Sequence, residues 1–355
     1  MKALIAMSGG VDSSVSAYLM KEKGYDCMGI TMKLFHNEDI VEKKSKSCCA
    51  LDDVEDARNV AFRLDIPYYV VNFSADFKKE VIGRFIDCYE HGATPNPCID
   101  CNRHLKFNRL YERGKELGCN YIVTGHYARI KELNGRYVLM KAADLSKDQS
   151  YVLYSLTQDQ LEHTIFPLGA MTKDETRKIA DEQGFFNANK PDSQDICFVP
   201  DGDYIGFIKN YTGKDYPSGN FIDKDNNIFG THKGIIAYTI GQRKGLGITY
   251  KEPLYVTNIN PEDNTVTLGS NSDLFKTDFD AAYMNWIMYD TPPKEFKAKA
   301  KIRYKQTEQP ATITVDSDDI SKIHVSFDEP QRAITKGQAV VLYDGEYVIG
   351  GGVIQ

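Results

Sequence analysis

No apolar run in this chain approaches the roughly 20 residues that a membrane-spanning helix needs, so nothing in it reads as a helical membrane anchor. The N-terminus has no signal-peptide layout, because Lys2 to Met7 reads directly as a short buried strand. The expectation is a cytoplasmic protein. Positive charge is not in excess either: 43 Lys and Arg against 50 Asp and Glu leave a net charge of −7. That weakens a nucleic-acid reading without removing it, because phosphate contact depends on local basic patches rather than on the total. Internal repeats and low-complexity tracts are lacking. So is the Gly-Lys-Ser/Thr of a Walker A loop, the Gly-x-Gly-x-x-Gly of a dinucleotide fold, and any second Cys-x-x-Cys pair. The eight cysteines, at 27, 48, 49, 88, 98, 101, 119 and 197, do not have the dense spacing of a secreted disulfide scaffold.

What is present is a soluble globular composition, 42% hydrophobic and 26% charged over 355 residues, long enough for two or three cores. The first 125 residues alternate strands and helices. Strands are expected at Ala3 to Met7, Cys27 to Met32, Tyr68 to Val71 and Tyr121 to Thr124, with helices at Asp12 to Lys23, Asp52 to Leu64, Phe77 to Tyr89 and Asn102 to Leu117. That alternation implies a parallel sheet covered on both faces, with ligands at the carboxyl ends of its strands. A hairpin follows around Asn134-Gly135, then a helix at Thr172 to Gln183 and the polar stretch Asn187 to Gln194. From about residue 205 the chain turns β-rich. Strands are expected at Ile235 to Thr239, Leu254 to Ile259, Thr265 to Leu268, Lys299 to Tyr304, Ala311 to Val315, Lys322 to Phe327, Ala339 to Tyr343 and Tyr347 to Val353.

Between the first strand and first helix stands Ser8-Gly9-Gly10-Val11-Asp12-Ser13-Ser14. Glycines let the backbone turn tightly and approach a ligand, and the helix N-terminal N–H groups favour negative charge there. Ser8, Ser13 and Ser14 add hydroxyls, and Asp12 is expected to cap the helix or hold a phosphate-bound Mg2+, facing the phosphates rather than the core. The loop resembles the pyrophosphate loop of the ATP pyrophosphatase superfamily, which cleaves ATP between the α and β phosphates and activates a carbonyl oxygen as its adenylate.

The acceptor is suggested by Thr94-Pro95-Asn96-Pro97-Cys98-Ile99-Asp100-Cys101-Asn102 and by Asp192-Ser193-Gln194-Asp195-Ile196-Cys197-Phe198. Two prolines are expected to hold the first segment off helix until Cys101, whose thiolate a helix N-terminus then stabilises. Cys27, Cys88 and Cys119 read as small buried hydrophobes. Cys48-Cys49, beside Asp52 and Asp53, reads as a helix start with a capping carboxylate, with a metal site as the other reading.

These segments, with Thr124 to Arg129, Lys147 to Tyr151 and Gly241 to Gly247, resemble the tRNA-specific 2-thiouridylases nearly end to end. The resemblance implies a fold class of α/β plus β. Residues 1–204 form a parallel-sheet ATP pyrophosphatase (adenine nucleotide alpha hydrolase-like) domain, 205–276 a small central β-rich domain, and 277–355 a C-terminal β-barrel gripping tRNA. It implies Cys101 as nucleophile and Cys197 as persulfide carrier. ATP contacts fall on Ala6, Met7, Ser8, Gly9, Gly10, Val11, Asp12, Ser13, Met32 and Gly125. Asn96, Pro97 and Cys98 meet the target base, and His126, Lys147, Asp148, Gln149, Arg303, Tyr304 and Gln338 touch tRNA. Arg243-Lys244 is a further phosphate-binding candidate.

Many members carry Asp at the position of Cys98. The cysteine here opens a second route, in which Cys98, Cys101 and Cys197 ligate three irons of a 4Fe-4S cluster whose fourth iron carries sulfide; structural zinc is a third. The expected activity is ATP-dependent 2-thiolation of the wobble uridine of tRNA, with sulfur from a donor protein or cysteine desulfurase relay. Two rivals are an adenylating enzyme acting on a small molecule, which would not need the three cysteines, and a non-enzymatic RNA-binding or redox protein, which would not need the intact loop.

Overall fold

The computed structural model describes residues 1–35, 51–191 and 196–355. These form two compact units, one of residues 1–81, 97–202 and 345–348, the other of residues 82–96, 203–344 and 349–355.

In the first unit, strands β1 (Lys2–Ala6), β2 (Asp26–Lys33), β3 (Tyr68–Asn72) and β4 (Tyr121–Val123) belong to one parallel sheet. A hairpin, β5 (Arg129–Leu133) and β6 (Arg136–Met140), turns at Asn134 and Gly135, both at positive φ as such a turn requires. The short β7 (Thr164–Ile165) completes the sheet in the order β3-β2-β1-β4-β7. Alternation along β1 explains the two covered faces. Ala3 and Ile5 join a core with Val15, Ala17 and Met20 of helix α1 (Val11–Glu22) and with Ala57, Val60 and Ala61 of helix α2 (Leu51–Arg63). Leu4 points the other way, to Ile30, Leu110, Tyr111 and Ile122. Each fully buried Val, Leu, Ile or Met side chain among them contributes about 1.5–3 kcal/mol.

Two departures from the expected elements bear on the site. Helix begins at Pro97 rather than at Cys101, and runs through 97–100, a π-helical stretch at Cys101–Arg109, and Leu110–Glu116. Proline at a first helical position has no N–H to orphan and a φ already suited to helix, so Pro97 starts the helix instead of delaying it. Cys98, not Cys101, therefore occupies the first turn. The second departure is another π-helical stretch, Lys78–Gly83, within the helical run 74–90.

The second unit holds a four-stranded sheet and a barrel. Strands β8 (Gly219–Ile222), β9 (Ile228–His232), β10 (Tyr255–Asn260) and β11 (Thr265–Gly269) order as β10-β11-β8-β9 around Phe221, Val256, Val266 and Leu268. Ile235 to Thr239 is not the expected strand, because Ile235–Ala237 forms a 3-10 turn. The barrel comprises β12 (Phe275–Trp286), β13 (Glu295–Lys301), β14 (Gln309–Val315), β15 (Ile323–Arg332), β16 (Ala339–Asp344) and β17 (Tyr347–Ile354). Its order is β12-β15-β14-β13-β16-β17, and β12 pairs again with β17, closing six strands around Ala300, Ile313, Val325 and Val340. Closure removes the open edges that an isolated sheet would expose.

Candidate functional site

The Ser8–Ser14 loop lies at the carboxyl end of β1. Met7 is tied to β2, its N–H donating to Ile30 O at 2.8 Å and its carbonyl accepting from Thr31 Oγ1 at 2.6 Å. Gly9 has φ +76, and a Cβ there would stand 2.3 Å from Asp53 O. Only glycine fits, on both counts. Gly10 is the N-cap of α1 and supplies no side-chain cap. Its carbonyl instead accepts from Ser13 Oγ at 2.9 Å and Ser14 Oγ at 3.1 Å, while Ser13 Oγ accepts from Ser8 N–H at 3.2 Å. Ser13 and Ser14 are buried and Ser8 is exposed. All three hydroxyls expected to face a ligand take part in bracing the loop, Ser8 Oγ donating to Ser13 Oγ at 3.4 Å.

Asp12 corrects a further expectation. It neither caps the helix nor faces outward alone. Lys173 Nζ donates to both of its carboxylate oxygens, at 2.7 and 2.8 Å, and Tyr127 OH donates to Oδ1 at 2.9 Å. With both oxygens so engaged, Asp12 does not fit a magnesium ligand in this arrangement. Ala6, Met32 and Gly125 fall at or just past the ends of β1, β2 and β4, so the expected nucleotide contacts share the carboxyl edge of one sheet. Gly125 has no space for a side chain, since a Cβ would come within 2.9 Å of the Asp12 carbonyl carbon and of Ser13 N.

Three polar residues beside the loop carried no functional signal in the sequence. Lys173, only 6% exposed, opens a helix (Lys173–Glu182) whose capping box at Thr172 and Glu175 was legible while its long-range partner was not. Asn187 is buried and donates from Nδ2 to Gly9 O at 3.0 Å and Ser14 Oγ at 2.9 Å. Lys190 bridges Asp53 and Asp56 of α2. Burial lowers its pKa, but the two carboxylates outweigh that and hold the ammonium above its ordinary value.

No disulfide joins the described cysteines. Cys98 is exposed, Cys101 and Cys197 half-buried, Cys27 buried. Burial pushes the Cys27 thiol up to about 11, which keeps it protonated and unreactive. Cys101 is held through its neighbours: buried Asn102 donates from Nδ2 to Val152 O at 3.1 Å, and Arg103 Nη2 to Tyr154 OH at 3.0 Å. Cys197 precedes Phe198, whose buried ring meets Phe77 edge-on at 5.6 Å between centroids. Cys48, Cys49 and the Asp192 to Asp195 segment lie outside the described residues. Among the described residues no three His, Cys, Asp or Glu side chains stand close enough together to hold a metal ion. Cys98, Cys101 and Cys197 thus do not fit a cluster or zinc ligand set in this arrangement.

The expected RNA contacts divide sharply by exposure. His126 is inside, with Nδ1 2.7 Å from Thr124 Oγ1 and its ring between Phe107 and Phe166. Desolvation, helped by Lys106, holds it well below the free imidazole value, so it is neutral and offers no cation to a phosphate. Asp148 is occupied in its own turn, accepting from Ala142 N–H, Ser150 N–H and Ser150 Oγ. Gln149 Oε1 accepts from Tyr127 N–H at 2.9 Å. Lys147 is half-exposed. In the second unit, Arg303 is in a turn after β13 rather than in the strand, and Nη2 donates to Arg332 O and Ala333 O. Tyr304 beside it is exposed, with Lys301 Nζ 5.7 Å from its ring centroid. Gln338 donates from Nε2 to Thr94 O and Pro95 O, both at 3.0 Å. A shallow cleft of about 370 Å³ is lined by Arg243, Gly245, Tyr250 and Lys251, among others.

Residues 1–201 match a family profile described as the tRNA methyl transferase HUP domain. Residues 205–270 match one described as the tRNA methyl transferase PRC-barrel domain, and 276–354 one described as the aminomethyltransferase beta-barrel domain. The chain is 53% identical to the tRNA-specific 2-thiouridylase MnmA of Clostridioides difficile (strain 630), over 100% of this chain and 98% of that protein. It is 50% identical to the protein of the same name from Clostridium acetobutylicum, over 100% and 99%. Among solved structures, a 4-thiouridine synthetase–RNA complex with bound ATP is similar at 22% identity and a TM-score of 0.39, covering 56% of this chain and 45% of that one. No described helix is long and apolar enough to cross a membrane.

Proposed function

From the premise that this chain belongs to the tRNA-specific 2-thiouridylase family, we propose that it replaces the 2-oxygen of the tRNA wobble uridine with sulfur at the expense of ATP. The observation that carries the reading is identity of about 50% along the full length to proteins of that name. The sulfur reading, unlike the methyl-transfer wording of the family profiles, gives Cys101 and Cys197 a role.

ATP lies against Ala6 to Ser13, with Met32 and Gly125 at the flanking strand ends. The uridine 2-oxygen attacks the α-phosphate and pyrophosphate leaves, since an unactivated carbonyl oxygen departs poorly and AMP departs readily. The N–H groups at the start of α1 stabilise the charge that develops on the phosphates. Cys197 carries a persulfide loaded by a sulfur-donor protein or cysteine desulfurase relay. The Cys101 thiolate attacks Cys197 Sγ, forming a Cys101–Cys197 disulfide and releasing the outer sulfur as hydrosulfide. Hydrosulfide adds to carbon 2 and expels AMP, giving 2-thiouridine. A thiol reductant supplies the two electrons that reset the disulfide. Asn96, Pro97 and Cys98 flank the target base, and Lys147, Arg303, Tyr304 and Gln338 meet the tRNA. The assignment of 1–204 to catalysis, 205–276 to linking and 277–355 to tRNA binding belongs to the same reading, as does residence in the cytoplasm.

Purified protein with ATP, a sulfur donor and unmodified tRNA is expected to release pyrophosphate only when tRNA is present and to yield 2-thiouridine on nucleoside mass spectrometry. Pyrophosphate released equally without tRNA would point to a small-molecule acceptor and overturn the reading.

A further inference from the structure

We infer that Tyr127 is a positioning residue for the adenylation step, orienting the Ser8–Ser13 loop while itself held by the segment that fixes the Cys101 helix. The inference rests on the assignment of ATP to the Ser8–Ser13 loop. Gly125 brings the chain into contact with the start of α1, where even a methyl group would collide with the Asp12–Ser13 backbone. Two residues on, the Tyr127 phenol donates to Asp12 Oδ1 at 2.9 Å, and Lys173 Nζ stands 5.8 Å from the centre of the same ring. Tyr127 is 3% exposed, so water cannot replace its hydroxyl if the bond is lost. A hydrogen bond to a carboxylate is of the stronger kind.

The backbone of Tyr127 is clamped from its other side. Its N–H donates to Gln149 Oε1 and its carbonyl accepts from Gln149 N–H, each at 2.9 Å. Gln149 leads into the buried 3-10 turn Ser150–Leu153, whose Val152 carbonyl accepts from Asn102 and whose successor Tyr154 accepts from Arg103. Asn102 and Arg103 directly follow Cys101. Residues 149–154 therefore hold Tyr127, and through it the Asp12 carboxylate, with one end and the Cys101 helix with the other. A change in that segment's position moves Asp12 and Cys101 together, so that activation and sulfur attack are aligned on one base.

The test is the ATP dependence of tRNA-stimulated pyrophosphate release. Tyr127→Phe keeps the ring and removes one hydroxyl. It should raise KM for ATP about tenfold with kcat little changed. Gln149→Ala, which removes the acceptor for Tyr127 N–H, should raise KM similarly. Gln149→Glu keeps an acceptor oxygen and should raise KM for ATP clearly less than Gln149→Ala does. Should Tyr127→Phe fail to fold, the Gln149 pair decides by the same criterion. A parent protein without tRNA-dependent release would defeat the ATP assignment itself. An active parent with Tyr127→Phe unchanged in KM, or impaired in kcat alone, overturns the positioning role and leaves that assignment standing. So does a Gln149→Glu as defective as Gln149→Ala.

Discussion

Asp12 shows at the level of one side chain how a loop proposed to bind ATP can double as a folding contact. Removing its carboxylate takes from buried Lys173 the group that receives its ammonium at 2.7 and 2.8 Å. Asp12→Ala should therefore abolish ATP-dependent modification and also destabilise the fold, by about 2 kcal/mol rather than more because the Asp12 side chain is 31% exposed. Ser8→Ala, at an exposed position, should lose activity alone. Urea midpoints measured beside modification rates separate the two. His126 makes the opposite kind of statement. Its folded-state pKa lies below the unfolded value near 6.5, so the unfolded chain binds the proton first as pH falls. Its contribution is complete above pH 6.5 and declines below it, at up to about 1.4 kcal/mol per pH unit. His126→Phe, which suits a site between Phe107 and Phe166, should remove that part of the acid loss, seen by comparing urea midpoints at pH 7.5 and 5.5.

Elements, rather than residues, decide which cysteine does what. Because helix starts at Pro97, the first-turn N–H groups surround Cys98, and Cys101 sits a full turn further along. The thiolate argument that singled out Cys101 therefore applies to Cys98 by position, and Cys101 depends instead on its fixed neighbours Asn102 and Arg103. Cys101→Ser and Cys197→Ser should each abolish 2-thiouridine formation. Cys98→Asp, restoring the commoner family residue, should keep substantial activity, and anaerobic protein should be active without bound iron. Loss of activity in Cys98→Asp together with loss of stoichiometric iron would revive the cluster route. The parallel sheet and most barrel strands were legible in the sequence because their apolar patterns are uninterrupted. The long strand β12 was not, since register shifts at Lys276/Asp278 and Ala282/Asn285, with Tyr283 at φ +58, break its period of two. Nor was the ring of Lys173, Asn187 and Lys190 around the loop, because nothing local in their segments marks partners more than 130 residues away.

For the molecule as a whole, an acidic chain that binds RNA must do so through local charge. With 43 basic residues against 50 acidic, distant surface repels the polyanion while contact cations release its counterions. tRNA affinity should fall steeply with salt, and Arg243→Ala and Arg303→Ala should each weaken binding and flatten the slope. Arg303→Ala should cost more than a single phosphate contact, because the guanidinium also ties two barrel carbonyls. Filter-binding curves over a salt series test both; curves unmoved by either substitution would take the loop and the turn out of the interface.

The interleaving of the two compact units along the chain has a consequence for how the protein is made. The first unit includes residues 345–348, and the second begins with residues 82–96. A ribosome emitting this chain releases a fragment of each unit early and cannot complete the first until residues 345–348 emerge. Co-translational folding must therefore carry β1 before β4 and β7 exist to finish its sheet, and later hold the first unit without its residues 345–348. Removal of residues 345–355 should then cost the first unit as well as the barrel, and nascent chains should lean on holding chaperones until those residues emerge.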